Sequence, residues 1–534
     1  MNRIHKLFKD RLTVINVLSA VGLALFFILL RWNTVNIPFI RDEGEYIYDA
    51  WLMLKNISPY LNSFSQTPPM IIYTYAAAIL LNPNAFWAPR VIIYLFVALA
   101  TILLGLIARK ELGRGAGWIA MWVVTPLILF PQLKAFPAKQ EKCLLLPLMG
   151  LLYGYLYWNK NSTRRHWFVA GILAVVTLLY KPTVLLVILF VFAFQVFDVW
   201  KYKPDLKQLL KKISWGILGA ALTLFTAFAF FIFHKSLPAF WESVVAFNMY
   251  YTDWGGFGWE SLFKHIKIFW SNWWVLYLLT AYYLIRRPGR WWFYTGLFAA
   301  ALLSTAGGIY SQYYIPLMPF WALVVTGAII CLSDDIALKA KLPSGYFKAG
   351  ITAVVIILLV WPSRQELLMS PRIFQLMHDR GPSHIGGNPF YESPIVAEKI
   401  KQMTAPDDYV YIAGSEPQIL YYARRQSPTR FIWAYPLMLS PKALQYQQEV
   451  IRDLEQNPPE LIVFVTDKRS WFRYKTSPTL LMDYLSGLNQ NKKYIVLGGF
   501  VQTRDGGFWQ EPMIAGKYPQ SQYSLIVLKK GNSK

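Results

Sequence analysis

Long apolar runs, separated by short polar segments, are the feature that most limits how this chain can fold. The first run is "TVINVLSAVGLALFFILLRW" (13–32), and about twenty apolar residues suffice to cross a bilayer as a helix. Only 15% of the residues are charged, against about 25% in a soluble domain. We count about eleven spans by this length criterion, with approximate cores at 13–32, 86–108, 117–131, 141–158, 167–180, 183–199, 213–234, 266–285, 291–306, 314–332 and 349–363. The sequence therefore predicts an α-helical polytopic membrane protein.

The net charge of +24 is spread over the segments between spans. Lys and Arg collect in "MNRIHKLFKDR", "NKNSTRRH" and "RRPGR", and every second inter-span segment is basic. This is the positive-inside pattern, so we expect a cytoplasmic N-terminus and, with an odd number of spans, an external C-terminus. Such segments anchor a protein at anionic headgroups, which indicates membrane lipids as partners and no nucleic acid. Both cysteines lie in apolar runs, which disfavours a disulfide framework or a zinc site.

Two domains are predicted. Residues 1–363 form the transmembrane domain, whose first outer loop (33–85) contains juxtamembrane helices, including the short apolar run 68–81. Residues 364–534 form an extracytoplasmic α/β domain, because β-rich runs alternate there with helix-like stretches. The expected strands are 408–414, 460–467, 493–500 and 523–530, and the expected helices are 441–456 and 477–491. No Gly-rich phosphate loop occurs in this domain, so we expect no nucleotide.

Three carboxylates follow the first span directly, in "RDEGEYIYDAW". The simplest interpretation of Asp42, Glu43 and Glu45 is an acidic first turn of a helix over 43–55, where negative charge complements the helix dipole. An alternative is chemistry at the membrane face, because a carboxylate within hydrogen-bond reach of a hydroxyl can act as a general base. The first interpretation needs no partner, whereas the second needs polar groups from other spans on the same side.

Such groups occur at two further span boundaries. Lys139 and Glu141 lie in "KAFPAKQEKC", and Lys181 lies in "YKPT" between two apolar runs. Each of these side chains alone can extend to the headgroups without any function. Lysines and carboxylates converging on one face of a helical bundle suit a lipid-phosphate substrate, whose phosphate binds cations while its tail stays in the hydrocarbon. Together they predict a site for a lipid-linked substrate.

Several of these motifs resemble those of a known family. They are "RDEGEY" followed by "PY", a Pro-Pro before the next helix, Glu141 opening the fourth span, a later "KP", the stretch "GSEPQI" (414–419) and part of "FIWAYPLM" (431–438). The chain resembles the GT-C membrane glycosyltransferases, in the branch with bacterial protein O-mannosyltransferases and the lipid A aminoarabinose transferase. The similarity runs nearly from end to end.

The resemblance implies an inverting enzyme of the bacterial cytoplasmic membrane. Such enzymes transfer a sugar from a polyprenyl-phosphate carrier to an acceptor on the outer side, here a glycolipid, a cell-envelope glycan or a protein. By motif position, Asp42 matches the presumed general base and Glu43 the second acid of the pair. Glu141 matches the acidic residue of the second outer loop, and Lys181 a lysine near the lipid phosphate. Arg41 would add a cation there.

The chain departs from the family at two positions. Relatives often carry a Lys before the loop prolines, where this chain has Gln66 and Thr67 in "FSQTPPM", and a His where "IYSQYYIPLMP" has Gln312. Tyr310 and Tyr313 join Gln312 and Glu45 as expected substrate-binding residues. Gln is a poor ligand for transition metals. The carboxylates would suit Mg²⁺, Mn²⁺ or Ca²⁺, but the sequence does not require a metal.

Other functional classes remain open. A transporter or flippase for a lipid-linked sugar would place ionisable groups near the bilayer midplane in repeated halves, whereas the candidates here lie at span ends and no internal repeat is visible. An O-antigen ligase or polymerase does not suit the acidic "RDEGEY" beside the first span. A catalytically inactive relative that acts as an assembly subunit is compatible with the departures at Thr67 and Gln312.

Overall fold

A computed structural model describes residues 2–129, 133, 136–158, 161–202, 205–254, 259–306, 308, 310–513 and 518–531. The predicted outer loops 131–141, 235–265 and 307–314 each lie partly outside these described residues. The chain divides into two compact units, of which unit 1 comprises 1–32, 91–225 and 256–368 and unit 2 comprises 33–90, 226–255 and 369–534. Most of the predicted first outer loop thus groups with the predicted C-terminal domain.

Residues up to 368 are helical almost throughout, because their apolar runs satisfy the backbone within each segment. The α-helices are α1 (Asn2–Leu29), α2 (Arg41–Leu54), α3 (Pro69–Leu81), α4 (Trp87–Leu112), α5 (Ala116–Leu129), α6 (Gln140–Cys143), α7 (Leu145–Trp158), α8 (Arg164–Tyr180), α9 (Leu185–Tyr202), α10 (Leu206–Phe233), α11 (Leu237–Phe240), α12 (Phe247–Trp254), α13 (Trp259–Arg286), α14 (Trp291–Thr305), α15 (Met318–Ala340), α16 (Ser344–Val360) and α17 (Arg364–Leu368). A π-helical turn, Trp241–Ala246, joins α11 to α12. Each predicted span core overlaps one of these helices, except 141–158, which covers both α6 and α7.

Within the described residues, five helical stretches are long and apolar enough to cross a membrane: Trp87–Leu112, Pro182–Lys201, Leu206–Phe233, Ser311–Ala340 and Ser344–Leu368. They differ in how much protein surrounds them. The most apolar window of Ser311–Ala340 is 83% buried, whereas that of Leu206–Phe233 is 28% buried. Because an apolar helix face that is not covered by protein requires lipid, α15 is an interior helix of unit 1 and α10 a lipid-facing one.

A five-stranded sheet forms the centre of the C-terminal part of unit 2. Its order is β1-β2-β5-β3-β4, with β1 parallel to β2 and the other pairs antiparallel. The strands are β1 (Val410–Ala413), β2 (Leu461–Val465), β3 (Tyr494–Val501), β4 (Phe508–Gln510) and β5 (Tyr523–Lys530). All four predicted strands are confirmed. The edge strand β4 was not predicted, because three residues are too short to show an alternating pattern.

Among the described residues after 368, seven α-helices accompany the sheet: α18 (Pro371–Arg380), α19 (Ser393–Met403), α20 (Pro417–Ala423), α21 (Tyr435–Leu439), α22 (Ala443–Gln456), α23 (Lys468–Trp471) and α24 (Leu480–Gln490). The predicted helices 441–456 and 477–491 are confirmed as α22 and α24. Apolar side chains of both helices, such as Val450 and Leu481, share a buried cluster with Ile462 of β2. The predicted α/β character of this region is therefore confirmed.

Candidate active site

The predicted site residues fall into two groups. Arg41, Asp42, Glu43 and Glu45 lie in the first two turns of α2, in unit 2. The other group lies in unit 1, where it comprises Lys139, Glu141, Lys181, Tyr310, Gln312 and Tyr313. The contacts of each group are described separately.

Gly44 sets the position of α2. A Cβ at Gly44 would lie 2.6 Å from the backbone nitrogen of Gln418 in α20, closer than any real side chain allows. Only glycine therefore lets the two helices pack at this distance. The two sequence motifs behind the family resemblance, "RDEGEY" and "GSEPQI", contact each other here.

The Arg41 side chain is held by the turn that precedes α20. Its Nη2 atom lies 2.7 Å from Glu416 Oε1, and its Nε atom donates to the Ser415 carbonyl at 2.8 Å. Burial by itself lowers the pKa of this guanidinium, but the adjacent Glu416 carboxylate more than offsets that effect, so the pKa is raised. Glu416 also accepts hydrogen bonds from Ser415 N and Ser470 Oγ. This pairing favours a positioning role for Arg41 over the predicted contact with a lipid phosphate.

Glu43 is bound by Arg90, the fourth residue of α4. Arg90 Nε donates to Oε1 at 3.0 Å and Nη2 to Oε2 at 2.7 Å, and both side chains are 0% exposed. The same guanidinium donates to the backbone carbonyls of Ile37 and Pro38. Glu43 Oε2 also accepts from Ile40 N, which satisfies a free N–H at the start of α2. Glu43 thus fixes the entry of the chain into α2.

Glu45 forms a second buried group with Asp49, one turn further along α2. Ser65 Oγ and Gln66 N donate to Glu45 Oε1 at 2.7 and 3.0 Å, and Ser63 Oγ donates to Asp49. Burial, and then the neighbouring Asp49 charge, raise the pKa of Glu45 well above its ordinary value of 4.5. Burial likewise raises the pKa of Asp49 from 3.8 to about 7. This pair therefore binds protons more readily than ordinary carboxylates do.

Asp42 differs from these neighbours in its exposure. Arg41, Glu43, Glu45 and Asp49 are all buried, whereas Asp42 is half-buried. A general base must be accessible to the hydroxyl from which it takes a proton. Among the carboxylates of α2, Asp42 is the one that meets this condition.

Lys181 and Glu141 form an ion pair in unit 1. Lys181 Nζ lies 2.6 Å from Glu141 Oε1, and the two side chains are 9% and 2% exposed. Lys181 ends α8, because Pro182 follows it and the residue before a proline disfavours the helical conformation. The ammonium also lies 3.5 Å from the centre of the Tyr313 ring. Three of the predicted residues are thus brought together.

The remaining predicted residues of unit 1 lie nearby in the chain. Lys139 is buried and precedes α6, the helix that carries Glu141. The Tyr310 ring lies 5.8 Å from that of Tyr313, in the short turn (Ser311–Leu317) that packs against α6. Gln312 in this turn is 5% exposed. Its Oε1 atom and Glu141 Oε2 are buried without a hydrogen-bond partner among the described residues, so both are available to a ligand.

A divalent cation has little support from this donor set. In the part of the chain that the structure describes, no three His, Cys, Asp or Glu side chains are grouped to hold a metal ion. Glu141 and Gln312 supply one carboxylate and one amide oxygen, whereas Ca²⁺ takes about six to eight oxygen ligands.

Two residues of this arrangement were missed at the sequence level. Arg90 interrupts the apolar stretch "FWAPRVIIYLF", and an ionisable residue in a predicted span is itself a signal of a specific partner. Asp49 lies four positions after Glu45, which places both on one helix face. Neither signal identifies the partner, because Arg90 and Glu43 are 47 residues apart in the chain.

Solved structures share this fold. No protein-family model and no curated protein matches the sequence. ArnT, the lipid A aminoarabinose transferase, from Cupriavidus metallidurans bound to undecaprenyl phosphate matches with a TM-score of 0.56 at 12% identity, covering 96% of this chain and 98% of that one. The apo form of the same enzyme matches with a TM-score of 0.50 at 13% identity, covering 97% and 98%. The chain therefore has the fold of the GT-C membrane glycosyltransferases, as the motifs predicted.

Proposed function

We propose that the protein is an inverting glycosyltransferase that moves a sugar from a polyprenyl-phosphate carrier to an acceptor outside the bacterial cytoplasmic membrane. The acceptor is a glycolipid, a cell-envelope glycan or a protein. The observation that carries this proposal is that Asp42 is only half-buried, on a helix whose other carboxylates are fully buried. The fold supports it, since a structure of similar fold binds undecaprenyl phosphate.

In the proposed reaction, an Asp42 carboxylate oxygen takes the proton of an acceptor hydroxyl. The hydroxyl oxygen forms a bond to the anomeric carbon while the bond from that carbon to the phosphate oxygen breaks. The polyprenyl phosphate leaves with the electron pair, and attack from the opposite face inverts the anomeric configuration. The enzyme accelerates the step by stabilising the charge that develops on the leaving phosphate.

Lys181 and Lys139 are proposed to bind that phosphate. Lys181 is ordered by its ion pair with Glu141 at 2.6 Å, so an arriving phosphate would meet an ammonium that is already positioned. Glu141 Oε2 and Gln312 Oε1 lack hydrogen-bond partners in the described residues and are proposed to accept hydrogen bonds from sugar hydroxyls. Tyr310 and Tyr313 would pack against the sugar. Arg41, Glu43 and Glu45 are assigned to positioning α2, because each is buried and engaged.

A transfer assay in membranes tests the proposal. Radiolabelled polyprenyl-phosphate sugars are supplied to wild type, Asp42→Asn and the matched control Asp407→Asn, whose aspartate is exposed in a turn of unit 2. Loss of a general base lowers the rate by about 10²–10⁴-fold, so labelled product should nearly disappear in Asp42→Asn alone. Equal product from Asp42→Asn would remove Asp42 as the base. No product from wild type with any donor would favour a transporter or an inactive subunit.

A further inference from the structure

Unit 2 contains a polar recess that the proposed reaction does not use. It has a volume of about 340 Å³, near the lower end of the roughly 300–1,000 Å³ range of small-molecule sites. Its walls come from the second half of α2, the loop after it, the segment 426–430 and one face of α22. The recess is thus built from the same helix that carries Asp42.

The walls of the recess are held in place by hydrogen bonds. Ser427 N donates to the hydroxyl of the buried Tyr48 at 3.0 Å, and Val410 N donates to the Gln426 carbonyl at 3.0 Å. On α22, Glu449 accepts two hydrogen bonds from Arg430, at 2.7 and 3.2 Å. Preorganised walls of this kind lower the conformational cost of binding a ligand.

The side chains that face the recess offer hydrogen bonds rather than apolar surface. Asn62, Gln426 and Asn457 carry amides, groups that can both donate and accept hydrogen bonds; the amide nitrogen of Asn62 already donates to the Ser58 carbonyl. Tyr409 adds an aromatic ring that is 37% exposed and can pack against the apolar face of a ring-shaped ligand. Most small-molecule pockets are lined mainly by apolar side chains. This lining therefore suits a ligand rich in hydroxyl groups and does not suit a prenyl or acyl chain.

The charges of the recess disfavour an anionic ligand. Arg430 is the one cation among the described lining residues, and it lies 2.7 Å from Glu449 and 2.9 Å from Glu242. The remaining charged group is Asp453, whose pKa is raised by its burial. Binding of anions such as phosphate depends on a positively charged partner. Because Arg430 is already paired with two carboxylates, the recess does not favour a phosphate or carboxylate ligand.

We infer that this recess binds an uncharged saccharide portion of the acceptor. The inference rests on the proposed function, and it narrows the acceptor to a glycan or a glycan-bearing molecule. The side-chain amides of the recess would exchange hydrogen bonds with neighbouring sugar hydroxyls, while the Tyr409 ring would pack against one face of the sugar. The acceptor would then be held by unit 2 independently of the donor.

Binding of defined sugars to the full-length protein tests the inference. Maltotriose, cellotriose and N,N′,N″-triacetylchitotriose are the neutral probes, and glucose 6-phosphate is the anionic one. Saturation-transfer difference NMR is measured on protein in lipid nanodiscs, since alkyl maltoside detergents would compete. We expect at least one neutral trisaccharide to bind and glucose 6-phosphate to bind more weakly. Tyr409→Ala and Asn457→Ala should each weaken that binding by about five- to tenfold, the effect of losing one contact.

Two matched variants serve as controls. Asn491→Ala removes the C-cap asparagine of α24, as Asn457→Ala does for α22, and Tyr474→Ala removes a tyrosine that is 48% exposed. Neither residue lines the recess, so wild-type affinity is expected for both. The inference is overturned if no neutral trisaccharide binds, if both recess variants bind like wild type, or if glucose 6-phosphate binds most tightly. Asp42→Asn should bind the trisaccharide normally yet transfer no sugar, which separates failure of the recess from failure of the proposed reaction.

Discussion

The Glu43–Arg90 pair predicts that Glu43→Gln destabilises the protein instead of removing a catalytic acid. Both side chains are 0% exposed and two hydrogen bonds join them. Removing one partner of a buried ion pair costs about 3–5 kcal/mol, because the other charge stays buried without compensation. For a unit of this size, about 2–4 °C of Tm is lost per kcal/mol. The melting temperature should therefore fall by about 6–20 °C.

A double-mutant cycle isolates the pair. Glu43→Gln, Arg90→Met and the double variant are compared by thermal unfolding in nanodiscs. Arg90→Met also removes the hydrogen bonds to the carbonyls of Ile37 and Pro38. Each buried carbonyl left without a hydrogen bond destabilises the fold by about 1–3 kcal/mol. Arg90→Met should therefore lower stability more than Glu43→Gln does. The double variant should cost less than the sum of the two, by about 0.5–3 kcal/mol.

Activity distinguishes the structural role of Glu43 from a catalytic one. Below its melting temperature, Glu43→Gln should retain transfer with an unchanged pH profile. The control Glu398→Gln breaks an exposed pair with Lys401 at 3.3 Å, which should cost at most about 1 kcal/mol. A Glu43→Gln protein that melts at the wild-type temperature but transfers no sugar would refute this reasoning and return Glu43 to the role of second acid.

Three further predictions concern other parts of the candidate site. Folding raises the pKa of Asp49 from 3.8 to about 7, so the folded chain binds more protons and stability should fall as pH rises through that window. Asp49→Asn should therefore reduce the slope of Tm against pH between about pH 5 and pH 8, while the raised pKa of Glu45 still contributes to it. Lys181→Met should lower kcat/KM for transfer by about 10²–10³-fold, which is the effect of losing one transition-state donor. The control Lys401→Met, at an exposed ion pair, should leave kcat/KM unchanged. Equal kcat/KM values for both variants would show that Lys181 does not bind the phosphate. Gly44→Ala should lower stability by about 1–3 kcal/mol through overpacking, measured as Tm, while Gly487→Ala, where no atom lies within 4 Å of the added Cβ, should not.

Local patterns in the sequence were sufficient to predict the helices and strands. The helix after the first span, the four longer strands and the helices α22 and α24 all appear where hydrophobic periodicity and Pro start signals placed them. These signals act over a few residues, and the backbone conformation they favour survives in the folded chain.

Pairings between distant residues could not be predicted in this way. Arg41 is bound by Glu416, 375 positions away, and no local pattern distinguishes such a cation from one that awaits a phosphate. The sequence showed three carboxylates together and suggested shared chemistry. The structure separates the buried Glu43 and Glu45 from the half-buried Asp42. This difference depends on α20 and Arg90 packing against α2, which is a property of the tertiary structure.

The close approach of α2 to α20 has a consequence for how related chains are recognised. Gly44 and Gln418 are brought together by a steric requirement, and Arg41 and Glu416 by charge. None of these four residues is assigned to the sugar or to the acceptor. A search that uses "RDEGEY" and "GSEPQI" would therefore collect chains that share this helix contact while differing in what they transfer. Residues of the recess, such as Tyr409 and Asn457, are where chains with different acceptors should differ.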